Sequence, residues 1–165
     1  MSCDDLSCLE QLVYKPLGLV IKDLKADKES VDYKGAEFTI NNHRIKFRVA
    51  KITPTKTGQF VTFYKRKGTG PIVPYESHDL FDFLILVVRN KNHFGQFIFP
   101  KNVLCEKGII STKQKEGKRA MRVYPSWDKT DNAQARKTQS WQLEWFVEMP
   151  ENSGRDFATI KQLFS

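Results

Sequence analysis

The chain has 165 residues, of which 40% are hydrophobic and 28% charged, with a formal net charge of +8. That length and balance exclude a largely disordered chain and suffice for a core that needs no metal or disulfide. The longest apolar run, Phe83 to Val88, is six residues, far below the roughly 20 needed to span a bilayer. The N-terminal Asp4-Asp5 pair is acidic where a secretory signal is basic, so a cytoplasmic protein without membrane contact is expected. Cys3, Cys8 and Cys105 have no disulfide-framework or CxxC spacing and read as free thiols.

The charge is segregated. Residues 33–67 carry +8 and residues 111–140 carry +5, whereas residues 1–32 sum to −3 and residues 68–110 are neutral. If folding brings the two basic segments together, their surface attracts a polyanion.

In chain order, residues 6–14 read as a short helix with Leu6, Leu9, Leu12 and Val13 toward one face. Ala36–Ile40 and His43–Val49 read as a hairpin turned at Asn41-Asn42. Alternation in the return strand separates Ile45, Phe47 and Val49 from Arg44, Lys46 and Arg48, which predicts an apolar core face and a basic face free for a ligand. The turn 51–58 holds Lys51 and Lys56, and the strand from Gln59 ends in Lys65-Arg66-Lys67. Phe83–Val88 is apolar on both faces and predicts a central strand. Gly95–Phe99 and Arg119–Tyr124 read as further strands. A helix capped by Thr130 or Asp131 is predicted to run to about Glu148, followed by a terminal helix at 156–164. The whole is one α+β domain, 1–165, with a mixed, largely antiparallel central sheet flanked by helices.

Candidate phosphate contacts are Arg44, Lys46, Arg48, Lys51, Lys56, Lys65, Arg122, Arg136 and Lys137; Gln134 offers an amide, and Tyr124 and Trp127 offer stacking surfaces. His43, His78 and His93 lack metal-ligand spacing, and no nucleophilic-catalysis signature stands out.

Several segments together resemble the MepB family. They are Phe47–Val61, Asp82-Phe83, Gly95–Lys101, Arg122–Asp128 and Gln134–Gln142, in order, within a match from about residue 15 to 147. The resemblance implies a small bacterial protein, in some cases encoded beside a multidrug efflux pump and its repressor. It also implies a fold like the PD-(D/E)XK nuclease group, with no established activity to carry over. Such nucleases need an acid, then an acid or amide two positions before a lysine. Here Phe99 precedes Lys101 and Val49 precedes Lys51 at that spacing. A migrated set of Glu37, Asp82, Gln96 and Lys101 is the alternative, a Mg²⁺-dependent nuclease. An accessory role toward a protein of the same operon is a third reading. The leading expectation is a monomeric, non-catalytic nucleic-acid-binding protein with weak sequence preference, no cofactor and no resident metal.

Overall fold

The computed structural model describes residues 4–149 and 154–165. Met1 to Cys3, and with them the expectation for the Cys3 thiol, lie outside it. Helix α1 (Asp5–Leu9) runs on as a π-helical turn over Glu10–Tyr14. Strand β1 (Ile21–Ala26) follows, then a 3₁₀ segment at Lys28–Tyr33. The expected hairpin forms as β2 (Ala36–Ile40) and β3 (His43–Val49), with Ile40 opposite His43. Asn41 and Asn42 both take positive φ, 48° and 70°, the backbone that a two-residue type I′ turn demands.

Beyond β3 the chain forms β4 (Lys51–Ile52), β5 (Gln59–Thr62), β6 (Lys65–Arg66) and β7 (Ile72–Val73). It then enters the apolar strand β8 (Phe83–Asn90), followed by β9 (His93–Pro100) and helix α2 (Lys101–Glu106). Strand β10 (Ala120–Val123) and helix α3 (Ala133–Gln142) come next, then β11 (Phe146–Met149) and helix α4 (Gly154–Leu163). The main sheet has the order β1-β2-β3-β8-β9-β11 and is antiparallel except at β3–β8. A second sheet has the order β10-β5-β4. This is the mixed, largely antiparallel α+β arrangement expected.

The parallel pairing of β3 with β8 organises the main sheet. Parallel neighbours need a long crossover, and here residues 50–82 supply it between Val49 and Phe83. That crossover lies against one face of the main sheet: Ala50, Val61, Phe63, Tyr75 and Phe81 pack with Leu84, Leu86, Val88, Phe97 and Phe99. The opposite face, with Phe38, Ile45, Phe47, Ile85 and Ile98, is covered by Leu9, Val13 and Tyr14 from the N-terminus, by Ile160 of α4 and by Phe164 just after it.

Three sequence expectations are corrected. The helix expected to reach Glu148 ends at Gln142, and its last residues form edge strand β11 paired to β9. Phe146 and Val147 are an aromatic and a β-branched residue of the kind that suits a strand, and the bare backbone of Gly95 leaves the room that Phe146 fills: a Cβ there would stand 2.6 Å from the Phe146 ring. The α3 cap is Asn132, whose Oδ1 accepts from the Ala135 N–H at 2.8 Å, rather than Thr130 or Asp131. Cys8 is disulfide-bonded and so is not the free thiol expected. Cys105 is free, as expected.

Candidate functional site

The basic face of β3 does not reach solvent as the alternation suggested. Arg44, Lys46 and Arg48 do point away from Ile45 and Phe47, but toward the side on which the crossover lies. Arg48 is 1% exposed. Its guanidinium pairs with Asp27 at 2.6 Å, donates to the Phe47 carbonyl and lies over the Phe63 ring. The expectation that Arg48 meets phosphate is thereby corrected: period-two patterning separates faces, but it does not reveal which face another layer will cover. Lys46 is bound to Glu37 at 2.5 Å and lies over the Tyr75 ring. Arg44 alone of the three stays exposed, away from the other free cations beside Leu80 and Phe81.

Lys65 is neutralised as well, 2.8 Å from both Glu76 and Asp79. Burial alone would depress the Lys65 ammonium, but hydrogen bonds to the two carboxylates outweigh it and leave the group raised. The Lys65 hydrogen bond holds Glu76 below the usual carboxylate range. Burial pushes Asp79 upward, but Lys65 and the Glu76 N–H overcome this and lower it. Glu76, His78 and Asp79 bring ligand-type atoms within 4.8 Å of one another, and two of the three already hold the Lys65 ammonium.

The nuclease constellation does not converge. Gln96 is fully buried on the α1 and α4 side of the sheet, where its Oε1 accepts from the Tyr14 hydroxyl at 2.7 Å. Glu37 alternates with the core residues Ala36 and Phe38 of that side and therefore projects from the opposite face. Asp82 accepts from the Arg44 N–H at 2.8 Å, and the Lys101 ammonium donates to the Asp79 carbonyl. Asp82 and Lys101 do lie side by side, the Lys101 N–H donating to the Asp82 carbonyl at 2.9 Å, but Gln96 is on the other side of the sheet and Glu37 is taken by Lys46.

The two basic segments do meet, on the second sheet. Arg122 of β10 stands opposite Phe60 of β5, which stands opposite Lys51 of β4. The three side chains share the outer face, because Met121, Val123 and Val61 point into the core. With strands about 4.8 Å apart, Lys51 and Arg122 are separated by about 10 Å at the backbone. Tyr33 packs on Phe60 and carries the Lys51 ammonium over its ring at 4.9 Å.

This face runs into a cleft of about 560 Å³ between the 53–58 turn, the end of α2, β10 and α3. Lys56, Lys107, Lys118 and Arg122 line it. Met121, Ile109 and Ala135 form its apolar part, and Tyr124 and Trp141 add aromatic surface. Among the described residues none of the four cations is ion-paired. Among the described residues Asp131 is the one carboxylate of the lining.

The cleft is held from beneath. Arg122 donates to Thr53 Oγ1 at 3.0 Å and to the Thr57 and Gly58 carbonyls, so its guanidinium fixes the turn without losing its charge to a carboxylate. Gly58 has φ +87°, and a Cβ there would lie 2.8 Å from the Tyr124 ring; only glycine permits both. On the other side the buried Gln142 acts as a strand would, accepting from the Tyr124 N–H at 2.9 Å and donating to the Arg122 carbonyl at 3.0 Å. Gln139 donates to the Pro125 and Asp128 carbonyls at 2.9 Å each. These two amides lock α3 against β10.

Of the sequence candidates, Lys51, Lys56, Arg122, Tyr124 and Gln134 lie on this face or in this cleft. At about 100° per residue, Lys137 flanks Gln134 and Trp141 at the rim, while Arg136 faces away. Trp127 lies outside the cleft, stacked on His93 at 4.8 Å. Lys107 and Lys118 were missed. Lys107 depends on the unexpected helix α2, whereas Lys118 lies four residues before Arg122, a same-face spacing for an extended chain that could have flagged it.

The molecule is thus an α+β protein with a polar, cation-lined cleft beside its second sheet. The MepB-like family model matches residues 27–148, and the chain belongs to that family. It is similar to the protein of the solved structure titled "Crystal Structure of MepB", at 36% identity and a TM-score of 0.77, over 80% of this chain and 89% of that one. A bacterial homing endonuclease, I-Ssp6803I, aligns at 14% identity and a TM-score of 0.47, over 86% of this chain and 87% of that one; so remote a likeness carries no argument. A search of curated proteins returned no match. Among the described residues no helix is long and apolar enough to cross a membrane.

Proposed function

We propose that the chain binds nucleic acid through the outer face of its second sheet and the adjoining cleft, without cutting it. One observation carries the reading: Lys51 and Lys56 from one basic segment and Lys118 and Arg122 from the other share one surface, and among the described residues no carboxylate is paired with any of them. Unpaired cations on one surface release counterions from a phosphate backbone, and that release drives sequence-independent binding. Tyr33, Phe60, Tyr124 and Trp141 interleave aromatic surface with those charges, the combination suited to nucleic acid rather than to a simple anion.

Binding of single- and double-stranded DNA and RNA at two salt concentrations, with Mg²⁺ present in a parallel set, tests this. Affinity should fall steeply with salt, with a log–log slope of about 0.7–0.9 per phosphate contact, and the nucleic acid should remain intact. A flat salt response contradicts binding, and Mg²⁺-dependent cleavage contradicts its being non-catalytic.

A further inference from the structure

We infer that the cleft takes an unpaired nucleotide of a single strand, its base in the cleft and its flanking phosphates on the lysine rim. This deepens the proposed function and rests on it. A duplex presents stacked bases and a convex phosphate surface, so it could use the rim but not the interior. The interior is nevertheless built for more than phosphate. A cleft of about 560 Å³ falls in the range of about 300–1,000 Å³ that accommodates one small ligand. Its lining combines Ile109, Met121 and Ala135 with the rings of Tyr124 and Trp141, and base faces are free to meet such surfaces only where the strand is unpaired.

Trp141 packs on Phe99 at 5.5 Å, which holds the ring in place, and the Lys107 ammonium lies 5.5 Å from that ring. Aromatic surface and a charge able to reach a neighbouring phosphate therefore come as one unit. Gln134 and Thr138, one helical turn apart on α3, also line the cleft and can meet a base edge.

The cations continue past the cleft in two directions, which argues for a strand over a free nucleotide. Lys115 lies against Gly108, next to Lys107, and Lys137 flanks Gln134 and Trp141 on α3. Neighbouring phosphates of a strand threaded through the cleft would find partners on both sides.

The test uses the full chain, a labelled single-stranded 12-mer, its blunt duplex and fluorescence anisotropy at one salt concentration. The single strand should bind at least about tenfold more tightly than the duplex and should quench tryptophan emission. Trp141→Phe, checked for an unchanged urea midpoint, should abolish most of the quench and weaken single-strand binding about tenfold. The strand-to-duplex ratio of the unmodified chain needs no variant. Equal or tighter duplex binding that still depends on Lys56 and Lys118 would overturn the unpaired-base inference while leaving nucleic-acid binding intact. A nucleoside monophosphate competing as strongly as the 12-mer would overturn the strand assignment, and polyglutamate doing so would overturn nucleic-acid recognition altogether. Binding indifferent to Lys56→Glu and Lys118→Glu, or no binding at all, would remove the proposed function itself.

Discussion

Two sets of cations that look alike in sequence have opposite fates in the fold. Lys46, Arg48 and Lys65 are each held by a carboxylate of Glu37, Asp27, Glu76 or Asp79, and each lies beneath or within the crossover layer. Among the described residues Lys51, Lys56, Lys107, Lys118 and Arg122 have no such partner, and they surround an open face and cleft. The first set therefore works inward, on stability, and the second is left with a field for a ligand. A run of basic residues becomes a binding surface only where topology leaves it both uncovered and unpaired.

The sharpest way to break the comparison is Arg48→Met. It leaves the Asp27 carboxylate, 15% exposed and still accepting from the Glu29 N–H, without its cation, so the loss should be about 3 kcal/mol, the lower end for breaking a buried pair from one side. Urea denaturation should show that loss, while the variant that remains folded binds nucleic acid as the unmodified chain does. A small stability effect with lost binding would reverse the assignment of the two sets.

Gly58→Ala should cost about 1–3 kcal/mol, because the left-handed backbone is strained for alanine and the new methyl meets the Tyr124 ring and the Val123 carbonyl. Since it displaces the turn that carries Lys56, it should weaken binding as well. Retained stability together with full affinity would show that the cleft wall is not the fixed support described above.

The smallest effect expected is a change in pH dependence. Glu76 and Asp79 have lowered pKa values in the folded chain. Their stabilising contribution is full above the unfolded carboxylate values of about 4 and disappears as the pH falls through the lower folded values. Lys65→Met removes the partner of both, so circular dichroism should show a shallower acid limb for the variant. Identical acid limbs would mean that Lys65 does not hold these carboxylates.

Local chemistry made much of the fold legible. Asn41-Asn42 carries its turn in its own side chains, and Phe83–Val88 is apolar enough to stand nowhere but the middle of a sheet. What resisted reading depends on contacts distant in sequence. The helical pattern through Trp145 and Phe146 gives way to β11 because β9 offers an edge and Gly95 a space. The two faces of β3 were evident, but the burial of Arg48 follows from the parallel pairing with β8, which obliges residues 50–82 to cross the sheet. The cleft was half legible for the same reason. Lys51, Lys56, Arg122 and Tyr124 stand in segments whose character is plain, whereas Lys107 enters only through α2 and Gln142 acts through hydrogen bonds to residues 18 and 20 positions away.

Whether this surface holds the polyanion is decided by the salt dependence of single-strand binding in two triple variants of equal charge. Reversal of Lys56, Lys107 and Lys118 to Glu should make the log–log slope shallower by about 2–3, at about 0.7–0.9 per lost phosphate contact. Reversal of the exposed Lys15, Lys22 and Lys28, which lie outside the cleft, should leave the slope near that of the unmodified chain. Equal changes in both variants would show that net charge, and not this surface, holds the polyanion.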